Sequence, residues 1–431
     1  MEEKKIKKPA GGNKKKKSKK GKRKKQQGFS FMKLRGGLSK GGAMIRRYST
    51  GAFKTFDDFT TGEDQDKMAE LLLQRFSWLR RIKFSAFVLV SVVALVLLIM
   101  VFNNNSIVVE QKTISIAGLS ADFEGYRIAL ISDLHGQEFG NSQASLLRSI
   151  NGVKYDLMIM AGDMVGKKGN AEPLYHLLDG LTSSAPVYFI AGDSDPGPLL
   201  DEPRETEGTI EQFVLEDWVL GAIDHGAIYL DAPTQIVKNK STMWLTPESM
   251  LDVEASPLLS QLNAQYRLES AEVAAGGTAA RTTLPLTAWR VQCAEKLLNA
   301  VSTMNSDDLH IAVAHYPPIE TYHASSGYSG SGMLRTADLV LAGHYCGGGW
   351  KLPGLGALYI PAVEAPRHGW FPDQSLVEGE RLLGGINVYT TGGLGMSDAI
   401  PLPRFRLNNQ PKVTILTLTA ALTDDLLGVS G

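Results

Sequence analysis

Short apolar runs separated by helix-like segments mark the chain after its first quarter. The strand-like runs lie at 126–133, 155–162 and 186–192, and amphipathic helical patterns lie near 142–152 and 171–181. A continuous apolar run is typical of a parallel strand that is buried on both faces. The alternation β-α-β-α-β therefore predicts an α/β sheet with helices on its faces.

A long interruption separates these strands from a second group. Residues 200–305 contain strand-like pieces at 227–237 and 242–245, helical pieces near 247–264 and 286–303, and a loop-like stretch at 274–284. Strand patterns return at 309–314, 337–342, 357–363, 386–391 and 413–419. We interpret 200–305 as an insertion in a domain that spans 107–425. Because long insertions near a site are often functional, it could form a lid or a substrate wall.

One apolar run is much longer than the others. Residues 84–102 form 19 consecutive positions without a charge, enough to cross a hydrocarbon core of about 30 Å. The segment before it, 64–83, has the pattern of an amphipathic juxtamembrane helix. We predict a transmembrane helix at 84–102, and a buried core helix is disfavoured at this length and apolarity. A cleaved signal peptide is also disfavoured, because the run begins far into the chain and ends without a small-x-small cleavage site.

Charge predicts the orientation of this helix. Arg80, Arg81 and Lys83 precede the apolar run, so the positive-inside rule places the N-terminus in the cytoplasm and residues 103–431 outside it. The location implied is the cell membrane, with a single pass and an extracytoplasmic domain.

The net charge of zero conceals a basic tail and an acidic body. Residues 1–50 hold 19 Lys+Arg against 2 Asp+Glu, and the rest of the chain carries the matching acidic excess. We predict a disordered cytoplasmic tail over 1–63 that attracts anionic membrane lipids, at roughly 1 kcal/mol per basic residue near the surface. A solvated tail that only marks the cytoplasmic side is the simpler alternative. Nucleic acid is a weaker interpretation, since no aromatic residue interleaves the Lys run.

Five predicted strands end in side chains that bind metals. They are Asp133 and His135, Asp163, Asp193, His315, and His344 with Cys346. In an open α/β sheet the ligand site lies off the carboxyl ends of the strands, so these side chains should converge. A carboxylate can bridge two ions while imidazoles fill the outer positions, and mixed N/O sites of this kind suit Zn, Fe or Mn.

The remaining histidines and the second cysteine lack this context. His176, His225 and His310 have the character of ordinary surface or core histidines, whereas His323 and His368 lie in loops after metal motifs and could approach the site. Cys293 and Cys346 do not make a disulfide framework, although one bridge between them is left open.

In their order and spacing, these motifs resemble the calcineurin-like metallophosphoesterase superfamily. The family pattern is D-x-H, G-D, G-N-H-D/E, H and G-H-x-H, and the match covers roughly 110–420. Bacterial membrane-anchored members with one N-terminal span are a nearer likeness. The resemblance implies a four-layer αββα sandwich and two metal ions, with a metal-bound hydroxide that attacks phosphorus in line.

Carried over by position, the resemblance assigns the ligands of each ion. One ion would be held by Asp133, His135, Asp163 and Cys346, and the other by Asp163, Asp193, His315 and His344. Asp163 would bridge the ions. Catalytic roles fall on Asp163 and on the positions of the family's catalytic histidine and the acidic residue after it, here Ser194 and Asp195.

Three positions depart from the family pattern. Asp193 replaces Asn, Ser194 replaces the catalytic His, and Cys346 replaces the last His of G-H-x-H. Asp and Cys remain ligands but add negative charge, so two divalent ions would be just neutralised by the protein. Ser cannot supply a proton near neutral pH, and such help is typically worth roughly 10²–10⁴-fold in rate.

These observations predict a membrane-anchored metal-dependent phosphohydrolase. The charge of the site favours a phosphodiester or pyrophosphate over a monoester, or a trivalent ion such as Fe(III). The substrate would be a phosphate ester or pyrophosphate, of lipid or envelope origin. The alternatives are a metal- or ligand-binding member of the same fold with impaired catalysis, because of Ser194, and a structural membrane protein whose tail and helix recruit partners.

Overall fold

The computed structural model describes residues 62–200, 205–206, 209–210, 214–319, 332–360, 369–397 and 406–421. Residues 1–61, which include the predicted basic tail, lie outside the described residues, and so do His323 and His368. The predictions for the tail and for these two histidines therefore stay predictions.

Helix α1 (Gly62–Asn105) is the first described element. Within it, 76–99 is long and apolar enough to cross a membrane, with a mean hydropathy of 2.7 and no part buried. The predicted span at 84–102 overlaps this stretch. The segment at 64–83 is continuous with it, because no Gly or Pro breaks the helix between the two.

The domain that follows contains both strands and helices. The described strands are β1 (Val108–Ile116), β2 (Arg127–Ile131), β3 (Leu157–Ala161), β4 (Val187–Ile190), β5 (Glu205–Thr206), β6 (Thr209–Ile210), β7 (Ile228–Tyr229), β8 (Thr234–Lys238), β9 (Ser241–Pro247), β10 (Leu309–Val313), β11 (Leu339–Ala342), β12 (Trp350–Leu352), β13 (Gly356–Ile360), β14 (Gly369–Trp370), β15 (Gly379–Leu383), β16 (Ile386–Thr390) and β17 (Lys412–Ala420). The helices are α2 (Ala144–Asn151), α3 (Glu172–Gly180), α4 (Asp217–Asp224), α5 (Ala255–Ala274), α6 (Ala279–Thr303) and α7 (Gln374–Val377).

Two six-stranded sheets form the centre of the domain. The first has the order β1-β17-β2-β3-β4-β7, in which β2, β3, β4 and β7 run parallel. The second has the order β15-β16-β11-β10-β9-β8, in which β16, β11, β10 and β9 run parallel. In register, Ile128 pairs with Leu157 in the first sheet and Ile311 with Leu339 in the second. The ligand-bearing strands are therefore neighbours within each sheet.

The apolar runs fill both faces of the first sheet. On β2, Ile128 and Leu130 pack against the second sheet, while Ala129 and Ile131 pack against the layer that contains α2, α3 and α4. Successive side chains of a strand point to opposite faces, so a strand buried on both faces needs an unbroken apolar run.

A helix layer also covers the outer face of the second sheet. Trp244 of β9 packs with Ala255 of α5 and with Leu297 and Ala300 of α6. The layers are thus helix, sheet, sheet and helix, which confirms the predicted αββα sandwich.

The predicted insertion at 200–305 needs narrower limits. Strands β7, β8 and β9 are parts of the two sheets, so this portion of the interval belongs to the sandwich. Among the described residues of this interval, α5 and α6 form the outer helix layer of the second sheet, and the pair of β5 and β6 belongs to neither six-stranded sheet. The predicted loop at 274–284 is shorter, because α6 already begins at Ala279.

The turn between α5 and α6 explains that difference. Gly276 has a φ of 85°, and the amide of Gly277 donates to the carbonyl of Glu272, which is the glycine-dependent end of a helix. The Ala-rich residues after this turn favour a helix, so the Gly pair marks only the turn.

Candidate metal centre

Seven side chains converge where the carboxyl ends of the two sheets meet. Those from the first sheet are Asp133, His135, Asp163 and Asp193, which follow β2, β3 and β4. Those from the second sheet are His315, His344 and Cys346, which follow β10 and β11. They form two groups in which the potential ligand atoms lie within 4.8 Å of one another.

The first group, called cluster A, consists of Asp133, His135 and Cys346. The distance from His135 Nε2 is 3.6 Å to Cys346 Sγ and 4.0 Å to Asp133 Oδ1. All three residues are buried. Asp133 Oδ2 accepts hydrogen bonds from the Ser132 hydroxyl and from the amide of His344, which leaves Oδ1 facing His135.

The second group, called cluster B, consists of Asp163, Asp193, His315 and His344. Asp193 Oδ1 lies 2.9 Å from His315 Nε2 and 3.1 Å from His344 Nδ1. The ring nitrogens of the two histidines are 3.2 Å apart. The Asp193 side chain is 26% exposed, so cluster B reaches solvent.

Asp163 lies between the clusters. Its Oδ2 is 3.6 Å from His135 Nε2 in cluster A and 3.3 Å from His315 Nε2 in cluster B. Its Oδ1 accepts a hydrogen bond of 2.8 Å from the amide of Ser194. The carboxylate is therefore fixed at one oxygen and faces both groups with the other.

The backbone at the strand ends takes an uncommon conformation. Asp133, His135, Asp163, His344 and Cys346 all have positive φ values, between 48° and 77°. Side chains other than Gly and Asn seldom adopt this region, and such residues concentrate at functional sites. The tight turns aim consecutive side chains at one point beyond the strand ends.

Two glycines permit the close packing at Asp163. A Cβ at Gly192 would collide with the Asp163 carboxylate, and one at Gly162 would collide with the His315 ring. Gly162 also has a φ of 86°. Glycine is therefore required by close approach at 192 and by both conformation and approach at 162.

A hydrogen bond orients the ring of His315. Its Nδ1 is 2.8 Å from the carbonyl of Ala161, so Nδ1–H donates to that oxygen and Nε2 points into cluster B, toward Asp163 and Asp193. A backbone carbonyl behind a ligating histidine is a common means of fixing its tautomer and orientation.

Opposite charges dominate the electrostatics of cluster B. Burial by itself would lower the pKa of His315, but the charge of Asp163 and hydrogen bonds to both aspartates raise it well above its usual value. For Asp193, a carboxyl group, burial by itself would raise the pKa. Hydrogen bonds from His315 and His344 nevertheless hold the pKa of Asp193 well below its usual range. The pKa of Asp163 is lowered against burial, mainly by His315.

Cluster A has the opposite tendency. Burial raises the pKa of Asp133, and burial together with the charge of Asp133 raises the pKa of the Cys346 thiol well above its usual value. Burial therefore disfavours the charged forms of both groups when no cation is present. A bound metal reverses this and keeps a coordinating thiol deprotonated.

The donor set suits metal ions. Asp133 Oδ1 and His135 Nδ1 are buried and have no hydrogen-bond partner among the described residues. Unpaired polar atoms of this kind are costly in a protein interior, and a ligated ion removes the cost at Asp133 Oδ1. In cluster B, two ring nitrogens face each other beside two carboxylates, an arrangement that a shared cation stabilises.

Two further predicted residues lie beside the clusters. Ser194 is buried next to Asp163, to which its amide donates. The carboxylate of Asp195 accepts hydrogen bonds from the backbone amides of Met164, Val165, Gly166 and Gly192. It therefore holds the loops that carry Asp163 and Asp193, and the catalytic role predicted for Asp195 has no direct contact to support it.

The other described histidines, His176, His225 and His310, lie outside both clusters. The side chains of His176 and His225 contact Glu138 and Asp179, and His310 is buried with its ring against Thr246 and the carbonyl of Arg335. Both cysteines are free, so the open alternative of a bridge between them is not formed.

Sequence reasoning missed two residues behind cluster A. The guanidinium of Arg406 and the amide of Asn409 both donate to the carbonyl of Cys346. They precede β17 in a segment without a motif, so no spacing or strand-end pattern pointed to them.

Comparison with known proteins identifies the same region. The model of the family described as calcineurin-like phosphoesterase matches residues 126–347, which include all seven clustered side chains. No curated protein matches the chain significantly. Among solved structures, the chain is similar to phosphopantetheinyl hydrolase from Mycobacterium tuberculosis, with 13% identity, a TM-score of 0.29, and coverage of 63% of this chain and 91% of that chain.

Proposed function

The chain belongs to the calcineurin-like phosphoesterases, and from this premise we propose a membrane-anchored hydrolase of phosphodiester or pyrophosphate bonds with two metal ions. The observation that carries the proposal is the position of Asp163, one oxygen of which faces both clusters at 3.6 and 3.3 Å. A shared carboxylate between two separate ligand groups is what a two-metal site requires.

Each cluster supplies a plausible first coordination sphere. Cluster A with Asp163 offers two carboxylates, an imidazole and a thiolate, and cluster B offers two carboxylates and two imidazoles. Bound ions would activate a water nucleophile and stabilise the charge that develops on the phosphoryl oxygens. Zn, Mn and Fe all accept such ligands, and the thiolate of Cys346 favours Zn or Fe.

The protein residues determine where the substrate lies. Cluster A is buried, whereas the Asp193 side chain is exposed at the edge of cluster B. The phosphoryl group therefore approaches from the side of cluster B. Asp193 adds a negative charge at this entrance, which disfavours a dianionic monoester relative to a monoanionic diester.

Ser194 supports a second candidate, a metal-binding member of the fold with impaired catalysis. Its hydroxyl can donate a hydrogen bond to a phosphoryl oxygen, but it cannot protonate a leaving group near neutral pH. A substrate with a good leaving group, such as a pyrophosphate, needs this proton least. The active form of the proposal therefore favours an anhydride or an activated diester.

The test is metal analysis combined with hydrolysis by the purified full chain in detergent. We expect about two ions per chain and faster turnover of bis(p-nitrophenyl) phosphate than of p-nitrophenyl phosphate with Mn²⁺ or Zn²⁺. His315→Asn should remove an ion and the activity. The matched control is His310→Gln, a buried histidine of the preceding strand β10 that lies outside the clusters, and this variant should retain both.

The possible results separate the candidates. Bound metal without turnover of either ester or of a pyrophosphate favours the impaired member. Preference for the monoester with only divalent metal bound contradicts the charge argument but not the metal centre. A chain that binds no metal contradicts the whole proposal.

Membrane anchoring through 76–99 is part of the proposal and has its own test. We expect the chain to remain in membranes after alkaline carbonate extraction, and a C-terminal alkaline phosphatase fusion to be active outside the cytoplasm. Deletion of residues 1–50 should weaken binding to anionic vesicles if the basic tail contacts lipid headgroups. An inactive fusion would reverse the proposed orientation.

A further inference from the structure

Arg406 is a buried cation that lies directly behind cluster A. The residue is only 2% exposed. Its guanidinium donates hydrogen bonds to six backbone carbonyls, those of Cys346, Gly392, Gly393, Leu394, Gly395 and Asn409. A guanidinium stays protonated in proteins, so the charge is permanent. Burying such a charge is costly unless anions lie nearby.

One set of these bonds holds the turn that carries Cys346. Arg406 Nη2 donates to the Cys346 carbonyl at 2.6 Å, and Asn409 Nδ2 donates to the same oxygen at 3.0 Å. Asn409 also donates to the carbonyl of Gly349 at the end of the turn. The backbone of the ligand residue is thus fixed by two side chains.

The other set holds a loop that packs against Asp133. In this loop, the amides of Leu394 and Gly395 donate to the carbonyls of Ser132 and Asp133 at 3.0 and 2.6 Å. A Cβ at Gly393 would lie 2.7 Å from Asp133 Oδ2, so the loop closes the space behind that carboxylate. Arg406 therefore joins the backbones of the two anionic ligands of cluster A.

The negative charge of cluster A is a second reason for a cation at position 406. Asp133 and a metal-bound Cys346 would both be anionic, and the shared Asp163 adds a third negative charge. Burial lowers the pKa of Arg406, and the charges of Cys346 and Asp133 partly oppose that effect. A permanent cation behind the ligands offsets part of that excess.

We propose that Arg406 is a positioning residue for the metal centre, which fixes the Cys346 turn and provides the counter-charge for an anionic ligand at position 346. This inference rests on the proposed two-metal function. It predicts coupling between the residue at 406 and the charge of the residue at 346. A purely structural Arg406 predicts no such coupling, because its hydrogen bonds go to backbone carbonyls whatever side chain stands at 346.

The experiment measures Co²⁺ affinity and stoichiometry in the full chain in detergent. Two replacements of the ligand, Cys346→Asp and Cys346→His, are each measured with Arg406 present and with Arg406→Met, because coupling is seen only when both positions are varied. Asp is anionic and His is neutral, and both ligate metals. We expect Arg406→Met to weaken Co²⁺ binding about tenfold more in Cys346→Asp than in Cys346→His, the size of effect typical of groups behind metal ligands. Equal weakening in the two variants, or greater weakening in Cys346→His, overturns the proposal.

A second comparison changes Arg406 itself. Arg406→Lys keeps the charge and Arg406→Gln removes it. The thiolate-to-Co²⁺ charge-transfer absorption of Cys346 should persist in the Lys variant and be lost, or need about tenfold more Co²⁺, in the Gln variant. Equal spectra in the two variants overturn the charge assignment. If circular dichroism shows that Arg406→Gln does not fold, the comparison of the two replacements at 346 decides alone.

Failure of the proposed function has a different appearance. If the unaltered chain binds no Co²⁺ and shows no charge-transfer band, the metal centre itself is absent. If it binds about two ions and only the couplings are missing, the centre stands and the assignment of Arg406 fails.

Discussion

Clusters A and B lie at the same edge of the sandwich but differ in their surroundings. The side chains of Asp133 and His135 in cluster A are 0% and 1% exposed, whereas Asp193 in cluster B is 26% exposed. Arg406 lies behind cluster A, whereas cluster B is held by contacts among its own side chains and by backbone hydrogen bonds to His315 and Asp163. In the proposed function, cluster A would set the charge of the metal centre, and cluster B would contact the substrate.

The departures from the family pattern follow this division. Cys346 lies in the buried cluster, where its effect on substrate is indirect, whereas Asp193 and Ser194 lie at or beside the open one. Replacement of a ligand by another donor keeps the geometry of a centre. Replacement of a proton donor changes the chemistry, so Ser194, which is buried beside Asp163, is the departure whose effect on catalysis is tested most directly.

The largest effect should come from the residue that joins the clusters. In Asp163→Asn the carboxylate charge that faces both is lost, so both ions should bind weakly. We expect activity to fall by about 10³-fold or more, equivalent to about 4 kcal/mol of transition-state stabilisation. Metal content and turnover are measured on the same preparation.

Asp195→Asn is the matched control for that substitution. Asp195 holds four backbone amides and contacts no cluster atom directly, so its replacement should lower stability by roughly 1–3 kcal/mol while both ions remain. Retention of two ions in Asp163→Asn would break the comparison, since the clusters would then be independent.

The second effect concerns the open cluster alone. Ser194→His should restore a proton donor and raise the rate by roughly 10²-fold. The gain should be larger for an alkyl leaving group than for p-nitrophenolate, because the latter leaves without protonation. Ser194→Ala serves as the control and should give no gain. Equal rates for all three residues at 194 would mean that another group supplies the proton.

Metal removal tests the difference in exposure between the clusters. A chelator reaches cluster B through Asp193, whereas cluster A has no exposed ligand side chain among the described residues. We expect loss of metal from the full chain in two phases, with the faster phase being the ion of cluster B. His344→Asn should eliminate the fast phase and leave the slow one. A single phase in the unaltered chain would show that exposure does not distinguish the two ions.

Sequence patterns predicted the α/β sheet because its strands are continuous and buried, whereas the four-layer sandwich was implied by the family resemblance. Ile128, Leu130 and their neighbours pack on both faces of a sheet. Such a strand needs apolar side chains at every position, so it appears in the sequence as a continuous apolar run. The same patterns indicated strands at 227–237 and 242–245 but not their places in the sheets, because β7 and β8 are short, half-exposed strands whose pairing depends on distant partners. Local pattern carries little information about such edges.

The ligands could be anticipated for a similar reason. Strand ends place their side chains at a common edge, so the order Asp133, Asp163, His315 and His344 implied a meeting point. Arg406 and the positioning role of Asp195 could not be anticipated. Both act through hydrogen bonds to backbone groups of other segments. Sequence patterns do not predict which backbone group a side chain will contact.

The smallest effect separates two histidines, one within β10 and one just after it. His315 follows β10 and belongs to cluster B, whereas His310 within β10 is fully buried against Thr246 and the Arg335 carbonyl. Burial lowers the pKa of His310 to about 4, in contrast to the raised pKa of His315. Not every buried histidine near the site is therefore a ligand.

Stability against pH should reveal this difference. Above pH 6.5 His310 is neutral in both the folded and the unfolded chain. As pH falls below that value the unfolded chain takes up a proton first, so stability decreases until the folded pKa of about 4 is reached. Between pH 7 and 5.5 the loss should be roughly 1 kcal/mol. Urea unfolding in chelator should show this slope reduced in His310→Gln relative to the unaltered chain, since the titration of cluster B is common to both. Equal slopes would mean that His310 takes up its proton in the folded state, and the contrast between the two histidines would then not hold.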